Sequence, residues 1–151
     1  HRLGRYYRVT FLGRVKVSRM KIYIAGAFEA QQRLRNIRDR VVTIGHTVTS
    51  TWHDQLKEDG VKSNWPILGK KDKAEVLLCE FLFLDTLDKT DRKGYGAREF
   101  ELGYAEGMGK FVVRVGPIRH IFHTQPDWAF FSWVEALEWL YRQKFGTVTH
   151  T

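Results

Sequence analysis

A carboxylate set near the start of a helix, directly after a glycine-containing loop, has the placement of a nucleophile. One stretch of this chain has that form. Glu101 lies in Gly96-Ala97-Arg98-Glu99-Phe100-Glu101-Leu102-Gly103-Tyr104-Ala105, with Gly94 just upstream. This reading puts it in the first turn of its helix. A helix N-terminus favours the ionised form of an acid there, and an ionised, fixed carboxylate is the group that attacks an anomeric carbon. The competing reading makes Glu99 and Glu101 ordinary first-turn acids of a surface helix. Gly103, Gly107 and Gly109 are costly within a helix. They suggest a close approach to the sheet or to a ligand, which close packing explains equally well.

Other residues give further leads. His120 and His123 straddle Ile121-Phe122 at a spacing that suits a metal, but no third ligand stands nearby. Neither metal nor cofactor is therefore expected. His46 reads as a turn residue and His53 as a cleft residue. Phe28 and Trp52 stand at strand ends, where aromatics stack on a base or pack into the core. Arg98 suits a phosphate or a carboxylate. Glu80 interrupts an apolar run, which makes it either an exposed position or a cleft carboxylate.

These residues need a frame, and from Met20 the pattern alternates strand and helix. Lys21 to Gly26 reads as a short buried strand. Leu34, Ile37, Val41 and Ile44 recur at helical spacing and Gly45 closes that helix. Residues 46–51 are β-branched and read as a second strand. Residues 53–73 are polar, and Pro66 argues against a long helix there. The run from Glu75 to Phe83 is expected as the third, central strand. A long charged loop, 84–98, leads to a helix from about Glu99 to Met108; loops of that length are often functional. Phe111 to Val115 is the fourth strand, and a short one is expected at 128–131. Ser132-Trp133-Val134-Glu135 is a capping box opening a last helix with Trp133, Ala136, Leu137, Leu140 and Tyr141 on its inner face. Such alternation implies a parallel sheet covered on both faces, with ligands at the carboxyl ends of its strands. Gly26, Ala27, Phe28, Trp52, His53, the 84–98 loop and Gly116-Pro117 all fall on that edge. Neither GxGxxG nor GxxxxGK[ST] occurs, so a dinucleotide fold or a P-loop is not indicated.

Composition bounds the partners. The chain has 151 residues and a formal charge of +8, but residues 1–19 hold six basic side chains and no acid. The remainder carries only +2, with 19 basic and 17 acidic residues. No nucleic-acid-binding face is indicated for the domain. Residues 1–19 are read as a basic N-terminal extension outside the domain, and residues 20–151 as the domain. A basic arm that touches phosphates is the competing reading. A single cysteine, Cys79, permits no internal disulfide and points to a reducing compartment, the cytoplasm. No apolar run is long enough to span a bilayer.

Taken in order, Lys21-Ile22-Tyr23-Ile24-Ala25-Gly26, Gly45-His46-Thr47-Val48-Thr49-Ser50-Thr51-Trp52, Ala74-Glu75-Val76-Leu77-Leu78, Gly96 to Ala105, Gly109-Lys110-Phe111-Val112-Val113 and Ile121-Phe122-His123 resemble the nucleoside 2-deoxyribosyltransferase family. Its relatives include the deoxynucleoside monophosphate N-glycosidases. The likeness runs from Met20 to about Leu140. Glu-Leu-Gly-Tyr-Ala, with the later glycine-lysine, is its most specific part. The resemblance implies a flavodoxin-like three-layer α/β fold with a parallel sheet of about five strands, and a homodimer or larger homo-oligomer. It implies a retaining, two-step reaction on a nucleoside or nucleotide and a free nucleobase. Glu101 matches the nucleophile and Tyr23 the tyrosine beside it, while Gly26, Ala27 and Phe28 would face the ligand. The departing base needs a general acid, for which Glu99, Glu80 and His53 are candidates. The family usually carries a supporting aspartate eight residues before the acidic residue that opens strand three. Counting from Glu75 gives Ile67, so the role is assigned to Asp72, with Asp59 the other near acid. The family's residue six before the nucleophile, which contacts sugar or phosphate, falls on Tyr95. Transfer to a second base, hydrolysis, and non-catalytic nucleotide binding in the same cleft are the functional alternatives.

Overall fold

The computed structural model describes residues 19–89 and 96–145. Residues 1–18, which form most of the basic extension, and residues 90–95, which include Gly94 and Tyr95, lie outside the described residues. Met20 is buried, and its N–H donates to Nδ1 of His46 at 3.0 Å.

Five strands make one sheet: β1 (Lys21–Ala25), β2 (Thr47–Val48), β3 (Phe81–Asp85), β4 (Phe111–Val115) and β5 (Trp128–Phe130). The order is β2-β1-β3-β4-β5 and every pairing is parallel. This is the flavodoxin-like doubly wound order, whose topological switch lies between β1 and β3. Among the described residues four α-helices cover it: α1 (Gln31–Ile44), α2 (Trp65–Leu78), α3 (Ala97–Gly107) and α4 (Trp133–Phe145). α1 packs with α4, and α2 packs with α3, so the sheet is the middle of three layers.

The side-chain alternation of β3 assigns the two faces. Phe81 and Phe83 meet Trp139 and Trp133 of α4 at ring-centroid distances of 6.1 and 5.8 Å. Asp85, two residues on, accepts from the Trp133 indole N–H at 2.6 Å, as a period of two requires. On β1 the same alternation turns Tyr23 to the other face, toward α3. Gly45 ends α1 in the left-handed region at φ 117°. At Gly26 a Cβ would stand 2.4 Å from Leu34 Cδ1 and 3.4 Å from Asp85 Cβ, so the fully buried Leu34 side chain would have to shift. The absence of a Cβ lets α1 sit close over the exit of β1.

Three expectations change. The run from Glu75 is not the third strand: residues through Leu78 finish α2, and the strand is Phe81–Asp85. An apolar run shorter than two helical turns does not distinguish the end of a buried helix from a strand. Pro66 does not forbid a helix but opens one, in the first turn of α2, where a missing N–H costs nothing. The second strand shrinks to two residues, since Ser50 to Asp54 leave the ladder to make side-chain contacts described below. The capping box forms with a shift. Ser132 Oγ accepts from Glu135 N at 3.5 Å, but Glu135 reaches past Ser132 to the N–H of Phe131 at 2.7 Å. No helix among the described residues is long and apolar enough to cross a membrane.

Two buried histidines make the fold acid-sensitive. His46 accepts from Met20 N on Nδ1 and therefore donates from Nε2, to Leu140 O at 2.8 Å. Burial lowers its pKa against the help of that carbonyl. His53 is fully buried, and burial, then Arg38, bring it down from 6.5 to about 4. Between these values the unfolded chain binds protons that the fold refuses. Stability is therefore complete above the unfolded pKa and falls as the pH drops through the window. By pH ~4 His53 alone accounts for roughly 3 kcal/mol. Urea unfolding at a series of pH values below neutrality should show this decline, and His53→Asn should make it shallower. Parallel declines in the two proteins would contradict the assignment.

Candidate active site

From the middle of β1, next to the switch point, Tyr23 donates its phenol O–H to Glu101 Oε2 at 2.6 Å. Both residues are buried, and 78 positions separate them in the sequence. Glu101 is the fifth residue of α3, in its second turn and not the first as expected. Glu99 holds the first-turn place. The expectation that Glu101 stays ionised through the helix N-terminus is corrected with it. Burial, opposed by the Tyr23 bond and reinforced by Asp72, Glu75 and Glu99, lifts its pKa to about 8. The Tyr23 phenol is raised well above 10 by burial and by Glu101. It therefore stays protonated and keeps donating.

Two acids of α2 complete the cluster. Asp72 acts on both Tyr23 and Glu101, and burial, then Glu75, raise its own pKa to about 6. The corrected start of β3 also bears on Asp72. Glu80 is the acidic residue just before Phe81, and eight residues back from Glu80 is Asp72. The mismatch at Ile67 came from counting from Glu75, which is helical. Sequence reading did not single out Glu75 as a site residue, because the apolar run hid it. It is buried, with Oε1 accepting from Thr51 N at 2.9 Å and Oε2 from Thr51 Oγ1 at 2.6 Å.

The remaining candidates separate by position. Glu80 is exposed and accepts from Lys21 N at 3.0 Å, which puts it at the amino edge, away from this cluster. His53 does not line a cleft. It is buried behind Trp52 with a ring-centroid distance of 4.3 Å, its Nε2 lies 2.9 Å from Ser50 Oγ, and its pKa near 4 leaves no proton to give at neutral pH. Trp52 is itself buried, with its indole N–H on Ile24 O at 2.8 Å. Phe28, 6.2 Å away between centroids, is 44% exposed, so of the two aromatics it is the one open to a ligand. Gly26 and buried Ala27 carry Phe28 out from β1. Arg98 is turned inward. Its Nη1 donates to Asp85 O at 3.1 Å and Asp88 O at 2.9 Å, and its Nε to Glu99 Oε2 at 2.8 Å. The guanidinium is spent on the chain, where an anion-binding role had been expected. Burial pushes the Glu99 carboxyl up, but the bonds from Arg98 and His123 outweigh it and hold it below the usual range.

His123 and His120 are not arranged as a metal pair. Each Nδ1 accepts a backbone N–H, from Arg119 at 3.0 Å and from Phe122 at 3.2 Å. Among the described residues no group of three or more His, Cys, Asp or Glu is placed to hold a metal. Gly103 and Gly107 do not mark close packing either, since a Cβ at each would meet nothing within 4 Å. Sequence reading also missed Asp85, whose place at the end of the central strand was the available signal. It is fully buried and takes Arg33 on both oxygens at 2.9 and 3.0 Å, plus Leu87 N at 3.1 Å.

A carboxyl with a folded pKa near 8 and an unfolded one near 4.5 opposes folding at neutral pH. Its contribution is favourable below the unfolded value and is lost as the pH rises toward the folded one. Glu101→Gln keeps an acceptor for Tyr23 and removes the charge. It should raise stability at pH ~7 by roughly 3 kcal/mol, read from urea unfolding, with the gain vanishing at pH ~4. A destabilised variant at neutral pH would refute the electrostatic reading of the site.

No protein-family model matches the chain, and no curated protein matches it. Solved structures do. The 2-deoxyribosyltransferase of the psychrotolerant bacterium Bacillus psychrosaccharolyticus is 25% identical over 78% of this chain and 90% of its own, with a TM-score of 0.64. The CMP N-glycosidase of Clostridium botulinum aligns over 78% of this chain and 96% of its own with a TM-score of 0.51, and at 14% identity it speaks for the fold alone. Among the solved structures that resemble this chain is thus a 2-deoxyribosyltransferase, of the family that its sequence resembles, and the fold is shared with an N-glycosidase.

Proposed function

We propose that the chain is a nucleoside 2-deoxyribosyltransferase working through a covalent glycosyl-Glu101 intermediate. The observation that carries this reading is the 2.6 Å bond from Tyr23 to Glu101, which aims a buried carboxylate beside a second acid with a raised pKa. In the first step a Glu101 oxygen attacks C1′ of the nucleoside. The C1′–N bond breaks, and the departing base takes its electron pair and a proton from Asp72. In the second step a nitrogen of another base attacks C1′ from the opposite face. The C1′–O bond to Glu101 breaks, and the incoming base returns a proton to Asp72. Each step passes through an oxocarbenium-like state.

Asp72 is assigned as the acid because it acts on both Tyr23 and Glu101 and its pKa is raised to about 6, while the alternatives lack one or the other property. Glu80 is at the other edge, His53 is neutral, and Glu99 is held ionised. In the resting site the higher pKa of Glu101 keeps the shared proton there, and the productive state is the minority form in which that proton sits on Asp72. Such coupled carboxyls titrate as a set. Phe28 is assigned to the nucleobase, and Gly26 and Ala27 to the loop that presents it. A homo-oligomer is part of this reading, as is the domain beginning at Met20.

Hydrolysis is the second reading, with water replacing the second base, since the same carboxyl cluster serves either attacking group. Incubation with a 2′-deoxynucleoside and a different free base, followed by chromatography, separates the two. A new nucleoside is the expected product, and free deoxyribose alone would assign the hydrolase. Absence of either from deoxynucleosides and their 5′-monophosphates would reject the enzymatic reading. Glu101→Gln should abolish turnover. Asp72→Asn should lower kcat about 10²-fold to 10⁴-fold. It should also move the acid limb of kcat/KM to lower pH, because Glu101 then ionises without a like charge beside it.

A further inference from the structure

The first turn of α3 is held by a closed circuit of hydrogen bonds. His123 is fully buried in the turn Ile121–Thr124. Its Nδ1 accepts from Arg119 N at 3.0 Å, which leaves Nε2 as the N–H nitrogen. That nitrogen lies 2.8 Å from Glu99 Oε2, so the neutral imidazole donates to the carboxylate. The same oxygen accepts from Arg98 Nε. Arg98 Nη1 continues to the carbonyls of Asp85 and Asp88. Arg119 closes the circuit with its guanidinium on Thr86 O at 2.7 Å and Leu87 O at 3.0 Å. The four carbonyls leaving β3 are all taken by two arginines, and both arginines meet at the His123–Glu99 pair.

This circuit has more in it than a helix start requires. An exposed first turn is satisfied by water or one capping side chain, and Gly96 at the N-cap provides no side-chain bond. Here buried His123 and Arg98 close on a part-buried Glu99 in place of a cap, two residues before Glu101. The charge of Glu99 also reaches Glu101.

We propose that Glu99 and His123 are a positioning pair for Glu101, fixing the first turn of α3 against the exit of β3 and setting the field in which Glu101 ionises. This rests on the reading of Glu101 as nucleophile. Tyr23 from β1, Asp72 and Glu75 from α2, and Glu99 on its own helix are the groups that act on Glu101. Glu99, Arg98 and His120 act on His123. Of these acids, Glu99 is held by a guanidinium and an imidazole, while Glu75 is held by the amide and hydroxyl of Thr51.

The test uses the full chain with side-chain ¹³C-labelled glutamate, with Glu101 assigned through Glu101→Gln. In Glu99→Gln the Glu101 midpoint should fall by roughly half to one pH unit, as loss of a nearby like charge requires. The acid limb of kcat/KM should move with it. In His123→Phe the Glu99 midpoint should rise, since one donor is gone, and kcat should fall on the order of 10-fold to 100-fold with KM little changed. His123→Gln, which keeps a donor to Glu99, should recover most of that loss. An unmoved Glu101 midpoint in Glu99→Gln overturns the proposal, as does a His123→Phe protein with wild-type kcat. A wild-type protein that turns over no nucleoside sinks the functional reading, and the two NMR midpoints then still decide the pair.

Discussion

The site is organised by a carboxylate buried with a phenol and other acids instead of a cation. An isolated buried charge is expensive enough that a carboxyl usually takes up a proton. Glu101 meets that limit with one short hydrogen bond, from Tyr23, whose donor can come only from the middle of a central strand. The order β2-β1-β3-β4-β5 places β1 at the switch point and sends the chain from β3 into α3, so phenol and carboxylate converge there. Asp72 and Glu75 approach from α2 and raise the cost of ionising Glu101 further. A site built for stability would not place them so. Under the proposed function they keep one proton available beside the nucleophile.

The same edge holds a second buried carboxylate treated in the opposite way. Asp85, on the α1/α4 face of the sheet, receives the Arg33 fork, the Leu87 N–H and the Trp133 indole N–H. Every lone pair that geometry allows is occupied by a donor, and a charge so compensated joins three elements. Environments that treat two acids this differently separate structure from chemistry. Asp85 ties β3, α1 and α4 together, while Glu101 has no such compensation, as the proposed nucleophile requires.

Much of the frame was legible in the sequence. Leu34, Ile37, Val41 and Ile44 with Gly45 marked α1 almost to its ends, because an amphipathic stripe and a left-handed cap are local properties. β1, β4 and α4 were legible for the same reason. The stretch from Trp65 to Asp85 was not. Its helix has apolar residues all round, with Leu77 and Leu78 exposed and Val76 buried, so no stripe separates helix from strand, and Pro66 supports either reading. That single misplacement carried over into chemistry, since it sent the count for the supporting aspartate to Ile67 and concealed Glu75. Arg98 and His53 failed differently. Their residue types suit a ligand, and only tertiary packing reveals that both are turned into the protein.

The proton inventory separates the two halves of the proposed reaction. Tyr23, Glu101 and Asp72 fix the first half, in which a glycosidic bond exchanges its nitrogen for a carboxylate oxygen. The second half asks the same groups for the reverse transfer, whether the incoming atom is a base nitrogen or a water oxygen. The acid cluster is therefore indifferent between transferase and hydrolase. Discrimination must lie with what faces the departing base and keeps water from its place. On this edge Trp52 is packed against His53 and tied to Ile24, and Phe28 stands open over the loop from Gly26. A flat apolar face there favours a stacked heterocycle over water. Under the proposed function the choice of the second nucleophile then falls to the β1 loop, apart from the carboxylates assigned to make and break the bond.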